Sequence, residues 1–458
     1  MRYVSTRSIN KNEITASKAI VNGLAPDGGL YVPDEFPKLE SFIGKTYEQL
    51  AHEVLRLYLT DFSDDELKEY LHSAYNENLP VRCFGNYLEL YHGRTSAFKD
   101  VALQLYPYLL TASLRKNNSD KTAVVLVATS GDTGSAVIAG LADVPNTKAI
   151  VFYPDGGVSD VQKLQMATQE GENIHVFSIK GNFDDAQTAV KEIFEDKQFS
   201  SKFENKCMLT SANSINIGRL LPQIVYYFYS YSELVQSKKI RDGDAVNFVV
   251  PTGNFGNILA GYYAHKMGLP INKLICATNS NSVLYDFIKT GVYDKNREFR
   301  LTLSPSMDIL ISSNLERFIY DIGGCNMVNE AYSSLSRTGV FSINTTLPLL
   351  DSECVDDYET LQSIFEIFND NNYILDPHTA VAQRAYDKYK KRTGDETPTV
   401  IVSTASPYKF PDAVKDALGF NVLDKPPASI SALTTKPILH NKVIAIDDMR
   451  AEIDKVLV

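Results

Sequence analysis

KTAVVLVATSGDTGSA, residues 121–136, runs from a β-branched apolar stretch straight into a polar turn that carries two glycines. An apolar run with no polar alternates is the mark of a strand buried on both faces, as found in parallel sheets covered by helices. Five later runs repeat the theme: TKAIVFYP (147–154), NIHVFSIK (173–180), AVNFVVPT (245–252), KLICATN (273–279) and PTVIVST (398–404). Helix-like segments such as SDVQKLQMATQEG (159–171) and NFDDAQTAVKEIFED (182–196) separate them. Strands that alternate with helices predict an α/β fold of open, mostly parallel sheets with flanking helices. The expected organisation has two lobes within residues 89–424, the smaller around 120–240.

Upstream, residues 1–88 read as a mainly helical subdomain. TYEQLAHEVLRLYL (46–59) has apolar residues at helical spacing, and SDDELKEYLHSAY (63–75) opens on a Ser cap followed by acids. APDGG (25–29) and YVPDEFP (31–37) read as turns. Downstream, residues 425–458 form a tail in which KPPASISALTTKP wanders before a short helix.

At 458 residues the chain holds two or three domains, with ordinary contents of 44% hydrophobic and 22% charged residues. A net charge of −11 argues against a nucleic-acid partner, yet leaves room for a local basic pocket that takes an anionic substrate. MRYVSTRSINKNEITASK does not read as a signal peptide, and no apolar stretch nears the roughly 18 residues of a membrane helix. Five scattered cysteines with no CxxC pair fit a reducing compartment and disfavour a zinc site. The expectation is a cytoplasmic protein without metal, with monomer and homodimer both open.

In open α/β sheets, ligands bind beyond the C-terminal strand ends. ATSGDTGSA (128–136) puts Ser130, Asp132 and Thr133 at such an end, where an anion site and an ordinary capped turn read equally well. PTGNFGN (251–257) suits a phosphate held by backbone amides. No G-x-G occurs, and GKT at 44–46 lacks the upstream glycine of a P-loop, so dinucleotide and NTPase readings lose their support. STASPYKFPDAV (403–414) ends a strand on hydroxyls that either face a ring or satisfy their own turn. SANSINIGRLLPQ (211–223) places Arg219 at a helix start, against the dipole, which fits anion recognition or an internal salt bridge. HGRTSAFKD (92–100) sets Lys99 among small and aromatic residues. A desolvated ammonium there loses pKa and gains nucleophilicity, the requirement of Schiff-base chemistry.

Together these segments resemble the threonine synthases, pyridoxal-phosphate enzymes built like the tryptophan synthase β chain (fold type II). HGRTSAFKD is similar to that family's HGPTxxFKD, with Arg94 in place of the proline. SGDTGSA, PTGNFGN, SMDILISSNLER (306–317), LDPHTAVA (375–382) and STASPYKFPDAV follow in family order, with Ser406 where related chains often have histidine. The resemblance covers nearly the whole chain. It implies pyridoxal 5'-phosphate as cofactor, with Lys99 as its Schiff-base lysine and as general base. It places Gly253, Asn254, Phe255, Gly256 and Asn257 at the cofactor phosphate, Asp132 at the phenolic oxygen and Thr404 at the ring nitrogen. It places Ser130 and Thr133 at the substrate carboxylate. Asn213, Ser214 and Arg219 fall at a substrate phosphate, with Lys409 a further member of that pocket.

The implied reaction is γ-elimination and β-addition of water, turning O-phospho-L-homoserine and water into L-threonine and phosphate, the last step of threonine biosynthesis. A serine/threonine dehydratase-like lyase would share Lys99 and the glycine loop without needing Arg219, Asn213 and Ser214. A non-catalytic metabolite-binding relative is a further alternative. SAFK (96–99) also fits the S-x-x-K of penicillin-binding serine enzymes, but their S-D-N element is absent.

Overall fold

In a computed structural model that describes residues 1–10 and 12–457, the opening run forms the strand Thr122–Ala128. Among the described residues it lies fourth in a sheet of five, ordered Val443–Ala445, Ile174–Lys180, Thr147–Pro154, Thr122–Ala128 and Cys207–Thr210, all parallel. Ala123, Val125 and Val127 belong to the main core, while Val124, Leu126 and Ala128 join a second cluster with Ile193, Met449 and Ile453. Both faces of the pleat are therefore covered by apolar groups, which is why the run has no polar alternates.

The larger sheet orders Leu350–Cys354, Ile271–Thr278, Val246–Pro251, Thr399–Ser403, Tyr87–Glu89 and Arg82–Phe84. Its strands are parallel except for the last pair. Val249 sits in register between Ile275 and Ile401, so the ends at Pro251, Thr278 and Ser403 share one rim. The glycine loop and the hydroxyl-bearing turn both follow from that rim.

The N-terminal helices Tyr47–Tyr58 and Asp64–Tyr75 form as the spacing expects, with complete capping boxes, Thr46 with Gln49 and Ser63 with Glu66, and a further helix spans Ala16–Asn22. Leu50 and Val54 lie in the same core as Phe228 and Tyr231, which docks these helices onto the helix Ile217–Gln236. Two segments differ from the sequence reading. Tyr31–Pro33, read as a turn, is a strand paired antiparallel with Tyr3–Ser5. Val443–Ala445, in the tail read as wandering, extends the small sheet, and Met449–Leu457 covers it with Met449, Ile453 and Leu457. Three-residue strands are too short to show a period of two. No helix among the described residues is long and apolar enough to cross a membrane.

Candidate active site

Lys99 stands where the loop after Tyr87–Glu89 turns into the short helix Asp100–Leu103. That loop is stitched to the end of the adjacent strand: Ala97 bridges Ala405, Phe98 N–H donates to the Thr404 carbonyl at 2.8 Å, and Ser406 N–H donates to the Ser96 carbonyl at 3.0 Å. Ser96 adopts a φ of 58° there, a conformation that a side-chain-bearing residue rarely takes. Asp100 closes the loop by accepting the Thr95 N–H at 2.7 Å and its hydroxyl at 2.8 Å. Lys99 is half-buried, with Nζ 4.7 Å from the Phe98 ring centroid. Burial pulls its ammonium down to about 8, against the opposing pull of the Asp132 carboxylate.

Facing Lys99, the strand Val246–Pro251 runs into the helix Gly256–Lys266. None of the backbone N–H groups from Gly253 to Asn257 has an acceptor among the described residues. Phe255 sits at φ 64°, which turns the loop so that these donors gather at the helix start. A Cβ on Gly253 would lie 2.7 Å from the Ser306 carbonyl oxygen and 3.2 Å from Met307 Cα. Thr404 also lines this pocket, and its hydroxyl bonds to no other group among the described residues.

Arg219 enters from the third side, in the first turn of Ile217–Gln236. It is 3% exposed, donates from Nη1 to the Ala212 carbonyl at 2.5 Å, and has no acceptor at Nε. Burial pulls its guanidinium down to about 10, and no carboxylate pairs with it. Of the two sequence alternatives, the internal salt bridge is absent among the described residues. The buried cation at a positive helix end lacks an anion. Beside it, the Ser214 hydroxyl lies 3.3 Å from that of Ser313, which lies 3.3 Å from Asn254 Oδ1. One hydroxyl chain thus links the arginine side to the glycine loop.

Lys99, Thr133, Ser214, Arg219, Gly253, Asn254, Gly256, Asn257 and Thr404 share the pocket wall. Ser130 and Asn213 are half-buried outside that wall, the Asn213 Oδ1 without a partner, and the buried Phe255 ring packs on Phe318. Asp132 and Lys409 lie outside it and pair with each other at 2.6 Å, 3% and 0% exposed. Lys409 also donates to the Thr95 carbonyl at 2.9 Å, and Asp132 accepts from Gln162 at 2.8 Å and from the Ser306 hydroxyl at 3.3 Å. Burial opposes ionisation of Asp132, but the Lys409 and Lys99 ammoniums outweigh it and hold the carboxyl well below the usual range.

Two groups, one on the pocket wall and one behind it, carried no role in the sequence reading. His378 lines the wall, bonded through Nδ1 to Asp376 at 2.8 Å and accepting the Ser306 N–H at Nε2, 3.2 Å away. That acceptor role assigns its proton to Nδ1. Arg317, fully buried, donates to the Tyr31 carbonyl at 2.9 Å and the Ile215 carbonyl at 2.5 Å, fixing the loop ahead of Arg219. Both lie in segments quoted for the resemblance, LDPHTAVA and SMDILISSNLER, which was the available signal.

The family "Threonine synthase N terminus" matches residues 2–75, "Pyridoxal-phosphate dependent enzyme" 87–405 and "Threonine synthase, C-terminal" 379–455. The threonine synthase of Saccharomyces cerevisiae is 39% identical over 473 residues, covering 92% of this chain and 90% of its own length. The human protein "Threonine synthase-like 1" is 40% identical over 96% of this chain, which spans 64% of that longer relative. The crystal structure of the PLP-bound threonine synthase from Brucella melitensis superposes with a TM-score of 0.89 at 36% identity, covering 100% of this chain and 99% of that one.

Proposed function

The chain belongs to the threonine synthase family of pyridoxal-phosphate-dependent enzymes, and from that premise we propose that it converts O-phospho-L-homoserine and water into L-threonine and inorganic phosphate. The protein is a lyase that uses pyridoxal 5'-phosphate. Its residues suit that group. The free N–H donors at 253–257 would hold a phosphate, the Thr404 hydroxyl would face a ring nitrogen, and burial brings the Lys99 ammonium down to about 8, which eases release of the free amine.

One observation carries the choice of a phosphorylated substrate: Arg219, buried and without a carboxylate, on the same pocket as a separate set of anion donors. Two anion sites suit a phosphate on the cofactor and another on the substrate. A dehydratase acting on free serine or threonine has only the cofactor's phosphate to hold, and its substrate carboxylate falls to the hydroxyls of Ser130 and Thr133, so Arg219 is left without a use.

When bound, the cofactor supplies an electron sink for the charge that proton removal leaves on carbon. Lys99 would hold that group, and its amine is the general base that would take the proton from Cα. Thr133 and Ser130 orient the substrate carboxylate. Arg219, with Ser214 and Asn213, holds the γ phosphate and stabilises it as it departs as a dianion. Phe98 and Met307 give the pocket apolar wall, which keeps water from the site until the phosphate has left. Asp132 acts at one remove from the cofactor. Its ionised carboxylate is acceptor-only and cannot donate to a phenolic oxygen, so it holds Lys409 and Ser306 and favours the protonated form of Lys99. The free thiols fit the cytoplasmic setting read from the sequence.

Arg219→Gln is expected to raise the KM for O-phospho-L-homoserine by roughly a hundredfold, the cost of two charge-assisted hydrogen bonds, with cofactor binding unchanged. Assays that follow phosphate, threonine and 2-oxo acid together decide the reaction. Dominant 2-oxo acid from unphosphorylated amino acids, with little phosphate released, would replace this reading by the dehydratase one. Gly253→Ala forces Ser306 and Met307 aside. About tenfold weaker retention of the cofactor in equilibrium dialysis is the expected outcome, from an overpacking cost of ~1–3 kcal/mol.

A further inference from the structure

Arg94, where the Lys99 motif departs from its family pattern, takes no part in the pocket around Lys99. It lines a different cleft of about 410 Å³, against about 60 Å³ for the pocket that Lys99 lines. The walls are the helix Tyr106–Lys116 and the turn that follows the helix Asp132–Leu141. Pro107, Tyr108, Leu114 and Pro145 make an apolar lining.

Two guanidiniums share that cleft, and neither meets a carboxylate among the described residues. Arg94 is exposed, and its side chain bonds to no other group among the described residues. Arg115 is also exposed, and its hydrogen bond is to the Tyr70 hydroxyl at 3.1 Å. The acid at the same cleft, Asp143, accepts the Glu172 N–H at 3.1 Å. Asn146 and Ser119 add side chains that bond to nothing else among the described residues. On a chain of net charge −11, two unpaired cations over an apolar lining mark a place that concentrates anions. An apolar cavity with a few convergent polar groups is also the usual make-up of a small-molecule site.

We infer that this cleft is a second ligand site, for a small organic dianion with an apolar or ring-shaped body. Two guanidiniums match two negative charges, and the tyrosine and proline faces match a flat body. The volume far exceeds what inorganic phosphate fills. The site also adjoins the catalytic segment. Arg94 precedes Thr95, which holds Asp100 through its N–H and hydroxyl and accepts Lys409 and Gln165 at its carbonyl, each at 2.9 Å. With its amide in the satisfied orientation, Gln104 accepts the Arg94 N–H at 3.2 Å and donates to the Asn78 carbonyl at 2.9 Å. A ligand that bridges Arg94 and Arg115 therefore ties the loop bearing Lys99 to the helix Tyr106–Lys116. None of this depends on the reaction proposed above.

The test titrates cofactor-loaded protein with phenyl phosphate and, separately, with phthalate, by calorimetry. It is run in an Arg219→Gln background so that the other anion site does not contribute. Saturable binding of either probe is expected, weakened about tenfold or more by Arg94→Gln and by Arg115→Gln, and weakened by added salt. Preference for phenyl phosphate assigns a phosphomonoester ligand, and preference for phthalate a dicarboxylate. Arg94 is exposed, so its variant reads binding without disturbing the fold. Absence of saturable binding at millimolar probe, or equal binding by the Arg94→Gln, Arg115→Gln double variant, overturns the inference.

Discussion

Replacing Lys99 with methionine is expected to cut threonine formation by about ten-thousandfold or more, the scale that its proposed roles as general base and cofactor holder imply, while the protein stays folded. Methionine keeps the length of the stem and its contact with Phe98, and it removes an ammonium that burial disfavours. Stability should therefore move opposite to activity. In the cofactor-free protein the Lys99 ammonium falls to about 8, against 10.5 for an ordinary lysine. Between those values the unfolded chain binds more protons than the folded one, so stability gains from Lys99 as pH rises through that window. Below it, the charged lysine costs stability throughout. Cofactor-free Lys99→Met should melt above the cofactor-free parent at pH 7, with the gap closing as the pH approaches 10.5. Thermal melts across that range check the sign. Turnover at the parent's level in the variant would remove Lys99 from the chemistry altogether.

What the sequence revealed and what it hid divide along a physical line. Thr122–Ala128 and Val246–Pro251 are readable because burial on both faces leaves a mark on every residue of the strand. The glycine loop is readable because Gly253 answers to a local requirement, the close approach of Ser306. Arg219 is readable because its conflict with the helix dipole is a nearest-neighbour matter. Asp132 and Lys409 are different. Each was assigned a ligand from its place in a motif, yet in the folded chain they meet each other between the two sheets. Motif position tells which loop a side chain leaves from, and the partner it turns toward is set by tertiary packing. His378 falls in the same class, since only the fold brings the Ser306 N–H to its ring.

The Asp132–Lys409 pair gives the second large effect. Asp132 opens the helix that follows a strand of the five-stranded sheet, and Lys409 follows the strand Thr399–Ser403 of the larger one, so the pair ties the two sheets together. Lys409→Met leaves the carboxylate buried with Gln162 and Ser306 as its neutral partners. The expected loss is about 3–5 kcal/mol, typical of stripping one member from a buried pair. Asp132→Asn should cost comparably by stranding the fully buried ammonium, whose remaining partner is the Thr95 carbonyl. The double variant should cost less than the sum, which a double-mutant cycle in denaturant measures. The pH dependence identifies the cause. In the parent, Asp132 is held below the ordinary 3.8, so its contribution is present above that value and fades as pH falls through the depressed one. Without Lys409, only the Lys99 ammonium and neutral donors such as the Gln162 amide remain against burial, so the carboxyl is held down less strongly. The variant then loses less stability than the parent as the solution is acidified. The deficit of Lys409→Met should be greatest near neutrality and shrink toward acid. A deficit constant with pH would mean that the packing around the Lys409 stem, rather than its charge, holds the two sheets together.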